Sequence, residues 1–401
     1  MLSRRNVLGL SLAAGISGPV NKLLADGNVG GRPKGIVGYR ALGNTGLKIS
    51  DISFGSSRSS DPDLVRYALD RGITFYDTAE SYGFGSSESA IGEGLRGVRK
   101  DVVLASKTKA SSTAKAHEIM DSLEGSLRRL ETDYIDIYYN HAVNDFARIA
   151  NDEWYEFSNM AKEQGKIRFT GVSGHGKRLV PCLERVIDEG LVDVILAAYN
   201  FGQDPDFLSK IKQSLHFSYV QPGLPPILKK ASEKGIGVVA MKTLMGARRS
   251  DIKPFEQDGH TFAQSAFRWV LSNPHVDGLV VSMTSREEID EYIAASGGRS
   301  VSEPDVGLLR IYMERNGATF CQPGCGQCMN ACPHGVEISE VLRTRMYLVD
   351  YKDPKLARQD YARLDNNSAS CAACSGEPCR GACPLPIPLH SWLRGIDNAL
   401  G

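Results

Sequence analysis

Across its first 320 residues this 401-residue chain contains a single cysteine, Cys182. It follows Pro181 in a stretch with helical patterning and reads as a small buried apolar residue. An excess of charge of either sign is missing too. The 47 basic residues are matched by 47 acidic ones, so no overall field invites nucleic acid or a strongly basic partner. The apolar run near the N-terminus, Leu8 to Ile16, is far short of the roughly 18–20 residues that cross a bilayer. Also absent is a glycine-rich turn after the first strand. Phe54-Gly55-Ser56-Ser57 stands there instead, which argues against an open doubly wound sheet that cradles dinucleotide phosphates. The remaining composition, 42% hydrophobic and 23% charged, is that of an ordinary soluble globular protein. Its length accommodates one large domain and a smaller one.

The chain opens Met1-Leu-Ser-Arg-Arg-Asn-Val-Leu, followed by the short apolar run and then Pro19, Asn21 and Lys22. A basic start, a short apolar core and a small residue such as Ala25 fit an export signal. Ser3-Arg4-Arg5-Asn6-Val7-Leu8 resembles the twin-arginine (Tat) signal, which implies export of a folded protein to the periplasm or beyond. Contact with a membrane is then expected only in transit. Residues 1–35 are accordingly set apart as signal and linker.

From Tyr39 the pattern becomes regular. Tyr39 to Ser50 reads as a hairpin around Asn44-Thr45-Gly46. Eight short apolar strands then alternate with amphipathic helices. The strands are predicted at Ile52–Gly55, Thr74–Asp77, Val102–Ser106, Tyr134–Tyr139, Arg168–Ser173, Val192–Ala197, Gly237–Met241 and Gly278–Val281. Asp61 before Pro62 suits the start of the first helix. Eight such units in about 250 residues predict an α/β fold, a (β/α)8 TIM barrel over residues 36–300.

In such barrels chemistry sits where the strands end. Asp77 closes the second strand, Tyr82 follows it, Lys107 closes the third and His141 follows the fourth. Each alone could be a turn cap, a solvated cation, a loop residue or a packing ring. Together on one rim they suit carbonyl chemistry. A tyrosine is a poor acid near neutrality. A lysine beside it is expected to lower its pKa, with an aspartate holding that lysine charged. The histidine would steady a carbonyl oxygen as charge develops on it.

These segments resemble the aldo/keto reductase family over roughly Tyr39 to Ile293. The motifs are Asp77-Thr-Ala-Glu-Ser-Tyr82-Gly, Ala105-Ser-Lys107-Thr, Asp136-Ile-Tyr-Tyr-Asn-His141 and Gly165-Lys-Ile-Arg-Phe-Thr-Gly-Val-Ser173. The resemblance implies an NAD(P)-dependent oxidoreductase that interconverts an aldehyde, ketone or sugar with an alcohol. Asp77, Tyr82, Lys107 and His141 would be its catalytic tetrad. It further implies a cofactor across the barrel mouth, near Ser173, Tyr199 and Asn200, with Met241, Lys242 and Arg286 as further contacts. The cofactor side departs from the family pattern at Gly174, Leu196, Met241-Lys242, Ser282 and Glu288. A carboxylate at Glu288 would repel a 2′-phosphate, so NAD and NADP both stay open.

The other eight cysteines form two runs, Cys321-x3-Cys325-x2-Cys328-x3-Cys332-Pro333 and Cys371-x2-Cys374-x4-Cys379-x3-Cys383-Pro384. This internal repeat resembles bacterial ferredoxins with two [4Fe–4S] clusters, in which the fourth cysteine of each run serves the other cluster. That rule groups Cys321, Cys325, Cys328 and Cys383, and separately Cys371, Cys374, Cys379 and Cys332. Structural zinc or disulfides would also accept these thiols. Residues 301–401 are therefore expected to be a small ferredoxin-like iron–sulfur domain. Ser302 to Thr319 is expected to be a joining helix. Leu342 to Leu364 is expected to pack between the cysteine runs, with Tyr347, Tyr351 and Tyr361 in its core. Beyond a small carbonyl or alcohol substrate, a redox partner is expected. An exported electron-transfer or partner-binding protein that keeps its barrel as a scaffold is the competing possibility.

Overall fold

The computed structural model describes residues 35–143, 145–175, 178–203, 223–245, 252–316, 321, 325–350 and 353–401. The export-signal motif and Tyr351 lie outside them. Strands β1 (Tyr39–Ala41) and β2 (Lys48–Ser50) form the expected hairpin, with Tyr39 opposite Ser50. Gly46 turns it at a φ of 74°, a backbone conformation glycine adopts without steric penalty.

Eight parallel strands follow and close on themselves. They are β3 (Ile52–Gly55), β4 (Phe75–Asp77), β5 (Val103–Thr108), β6 (Ile135–Asn140), β7 (Ile167–Gly174), β8 (Val194–Ala198), β9 (Gly237–Met241) and β10 (Gly278–Ser282). Neighbours in sequence are neighbours in the sheet, and β10 pairs with β3 to complete the barrel. The strand boundaries expected from sequence are met to within two residues.

Side chains alternate between the two faces of each strand. Tyr76, Leu104 and Tyr138 face outward into the main core beneath the helices. Phe75, Val103, Ala105, Ile137, Tyr139 and Leu196 fill the barrel interior, and Leu42, Leu47 and Ile49 of the hairpin join that cluster. Continuing each inward series by two residues gives Asp77 on β4, Lys107 on β5 and His141 just past β6. The candidate residues are thus the uppermost layer of an otherwise apolar stack.

Local capping explains where the helices begin. Asp61 accepts from the Asp63 N–H with Pro62 next in line, and Asn151 accepts from the Glu153 N–H. Thr261 and Gln264 form a reciprocal capping box.

Helix Glu303–Asn316 links barrel to tail. Its Tyr312 stacks on Phe262 at 4.1 Å, and its Asp305 is held by Arg268 at 2.7 Å and Ser265 at 2.9 Å. The described tail is helical. Its longer helices are Ile338–Val349, Pro354–Tyr361 and Leu389–Leu400. Their apolar faces meet in a separate core around Cys328, Cys371 and Cys379. Tyr361 belongs to that core, with its hydroxyl donating to Asp397 at 2.6 Å. Among the described residues no helix is long and apolar enough to cross a membrane.

Candidate active site

The floor of the site is an ion pair. Lys107 is 1% exposed and Asp77 4%. The ammonium donates to Asp77 Oδ1 and to the Thr78 carbonyl, both at 2.6 Å. Burial pushes the Asp77 carboxyl up and the Lys107 ammonium down, and each charge opposes the shift of the other. A pair this deep persists because each ion removes the cost of leaving the other alone.

Tyr82 lies above this pair, with its ring centroid 4.9 Å from Lys107 Nζ. The chain leaves it through a strained single turn. Gly83, Phe84 and Gly85 take φ values of 56°, 57° and 91° in succession. Two glycines make this possible, while Phe84 adopts a conformation that costs a non-glycine residue on the order of 1 kcal/mol. His141 meets Tyr82 edge-on, with centroids 5.7 Å apart at 83°.

The electrostatics correct one expectation. Burial, followed by the charge of Asp77, raises the Tyr82 phenol well above its ordinary 10.0. The charges of Asp77, Tyr347 and Asp360 all act in the same upward direction. Tyr82 is therefore a phenol at neutral pH, poised to give a proton. His141 is driven well below 6.5, first by burial and then by the charges of Lys107, Lys109, Arg148 and Lys242. It is neutral, and its Nδ1 has no hydrogen-bond partner among the described residues.

Sequence reasoning missed the group that fixes His141. Arg148 donates to the carbonyls of Ala110, His141 and Ala142 at 2.7, 2.9 and 3.0 Å, clamping the loop. Ser173 contributes from β7, accepting the Ala142 N–H at 2.9 Å. Both side chains act through the backbone beneath the histidine, and no local motif marks Arg148.

Asp77, Tyr82 and His141 open into one cavity of about 400 Å³. Met241 and Lys242 line it as expected. Lys242 holds a φ of 56°, and its carbonyl accepts from Asn200 Nδ2 at 3.2 Å. Asn200 thus braces the turn after β9 and does not itself face the cavity. Tyr199 is not brought to the mouth at all. Its ring packs on Trp269 at 5.0 Å, and its hydroxyl accepts from Asn273. Arg286 lies over Tyr67 at 5.1 Å, while Glu288 and Tyr292 of its helix reach the lining. At the same end Ser57 and Ser282 touch at 2.7 Å.

The opposite wall comes from the tail. Glu340, Arg343, Tyr347 and Asp350 all line the cavity. Tyr347 therefore belongs to the site and not, as expected, to packing between the cysteine runs. The signal was present in the spacing: positions three, four and three apart share one helix face.

A model of the aldo/keto reductase family matches residues 41–258. The chain belongs to the aldo/keto reductase family. L-galactose dehydrogenase of Arabidopsis thaliana is 28% identical over 294 residues, which cover 64% of this chain and 87% of that protein. L-glyceraldehyde 3-phosphate reductase of Escherichia coli K12 is 23% identical, over 68% of this chain and 91% of that protein. Among solved structures, the holo form of aldo-keto reductase AKR11C1 from Bacillus halodurans shares the fold. Its TM-score is 0.54 at 20% identity, covering 68% of this chain and 96% of that one. Aldo/keto reductase membership makes the protein an oxidoreductase of carbonyl groups and implies NAD(P)H as reductant. The family match ends before the tail begins.

Proposed function

We propose that Asp77, Tyr82, Lys107 and His141 interconvert an aldehyde, ketone or sugar with its alcohol. The observation that carries this is the buried Lys107–Asp77 pair beneath Tyr82, with a neutral His141 at the edge of the same ring. Ser57, Met241, Lys242 and Ser282 line the open end of the cavity and would hold the nicotinamide nucleotide. When bound, the nucleotide supplies hydride to the carbonyl carbon. Tyr82 passes its phenolic proton to the carbonyl oxygen, and His141 donates a hydrogen bond as charge builds there. Lys107 keeps a positive charge beneath the developing phenolate, and Asp77 keeps Lys107 in place.

The tail supports two [4Fe–4S] clusters held by the eight cysteines. Cys321 has Cys325, Cys328 and Cys383 as its electrostatic neighbours. Cys371 has Cys332, Cys374 and Cys379. These are the two foursomes that the ferredoxin rule groups, although Cys328 also feels Cys379 across the divide. No disulfide joins the cysteines in the structure as described. Such clusters supply one-electron transfer, and a ferredoxin-like tail would serve an external redox partner. The twin-arginine motif favours export through the Tat route with the nucleotide retained.

Two measurements test this. Tyr82→Phe should lower kcat/KM for aldehyde reduction by about 10²–10⁴-fold with unchanged thermal unfolding; full activity in that variant would refute the assignment. Anaerobically purified protein should contain iron, sulfide and nucleotide in the same sample. Zinc in their place would overturn the cluster assignment.

A further inference from the structure

We propose that the tail helix Ile338–Val349 is the specificity wall of the active site, with Tyr347 and Arg343 selecting substrates that carry a hydroxyl beside the reacting carbon. The proposal rests on the carbonyl chemistry assigned above.

Tyr82 and His141 are committed to the reacting oxygen. Substituents on the neighbouring carbon must then face what remains of the cavity, and the tail helix presents a polar surface there. Arg343 donates to Tyr347 Oη at 2.9 Å and to Asp360 at 2.6 Å, and it pairs with Glu340 at 2.8 Å. From the barrel, Lys242 reaches the same phenol oxygen at 3.4 Å. Tyr347 is thus pinned from both sides, by the tail through Arg343 and by the strained turn after β9 through Lys242. It is close enough for its charge to bear on Tyr82. Burial would raise the Tyr347 phenol, but Arg343 and Lys242 outweigh it and hold the group below 10.0, with Asp360 opposing them. The two phenols of one cavity are therefore driven in opposite directions.

A wall of carboxylates, guanidinium and phenol offers donors and acceptors side by side. A hydroxyl can meet both kinds at once. An alkyl substituent pressed against the same groups would strip them of water and return nothing. The wall lies beyond residues 41–258, the part of the chain that matches the family model.

The test uses full-length protein with nucleotide bound and two aldehydes, 2-hydroxypropanal and propanal, which differ only in that hydroxyl. Tyr347→Phe should lower kcat/KM for 2-hydroxypropanal by about 10- to 100-fold, chiefly through KM, and change propanal by less than about 3-fold. Tyr361→Phe, which alters a tail tyrosine outside the cavity, should leave both rates unchanged. Equal losses on both aldehydes, or no loss on either, would overturn the proposal.

Failure of the wild type to reduce either aldehyde would count against the reductase assignment, and a binding measurement then decides the role of Tyr347 separately. In a Tyr82→Phe background, 2-hydroxypropanal should perturb the near-ultraviolet phenol band, and the perturbation should vanish with Tyr347→Phe. Propanal should not produce it. A perturbation independent of Tyr347, or none, rejects the specificity wall.

Discussion

The barrel and the tail both bury groups that can carry charge, and they handle them in opposite ways. In the barrel the deepest cation has a carboxylate from the protein beside it, Lys107 with Asp77. In the cysteine core of the tail the buried groups are thiols that face other thiols. Burial, followed by neighbouring cysteines, pushes Cys328 up to about 12 and Cys371 up to about 11. Such thiols keep their protons until something positive takes their place, so binding a metal group there must release protons. The barrel pair holds both of its own charges, whereas the thiols of the tail core raise one another.

The contrast can be broken first at Lys107. Lys107→Met leaves Asp77 buried without its partner and should cost about 3–5 kcal/mol in denaturant unfolding. Adding Asp77→Asn should recover most of that loss while activity stays abolished. A single variant as stable as wild type would mean that the pair contributes nothing to the fold.

Cys328→Ala sharpens the other side. It should release the tail to limited proteolysis while the barrel's unfolding midpoint holds, a larger effect than the roughly 1 kcal/mol of a lost buried methylene-sized group. An unchanged digestion pattern would reduce the thiols to space-filling.

The smallest effect is expected at the junction. Burial would raise Asp305, but the hydroxyl and N–H of Ser302, together with His260 and Ser265, hold it down to about 2. Its folded pKa lies below the ordinary 3.8, so its contribution is full above that value and is lost as pH falls through about 2. Asp305→Asn should flatten acid unfolding across that window. An identical acid limb in wild type and variant would count against the linkage.

Much of the barrel was legible because its periodicity is local. The inward series Val103, Ala105, Lys107 and Ile137, Tyr139, His141 follows from strand alternation alone. The two cysteine runs stand out in the sequence through their Cys-Pro repeat. Tyr199 misled because its position after β8 gave no sign that the Trp269 ring stands opposite. Arg148 was not found because its role depends on elements that meet only in three dimensions, and the helical spacing that groups Tyr347 with Glu340 and Arg343 does not say which surface that face meets. The direction of the Tyr82 shift was missed for a related reason: it depends on the burial of the ring and on Asp77, Tyr347 and Asp360, two of which come from the tail.

Helix Ile338–Val349 carries Ile338, Val341 and Leu342 on the face toward the cysteine core and Arg343 and Tyr347 on the face toward the substrate cavity. An α-helix with its side chains is about 10–12 Å across, so a single helix partitions the two centres. Leu342, which packs in the cysteine core, and Arg343, which lines the cavity, are therefore adjacent residues of one rod.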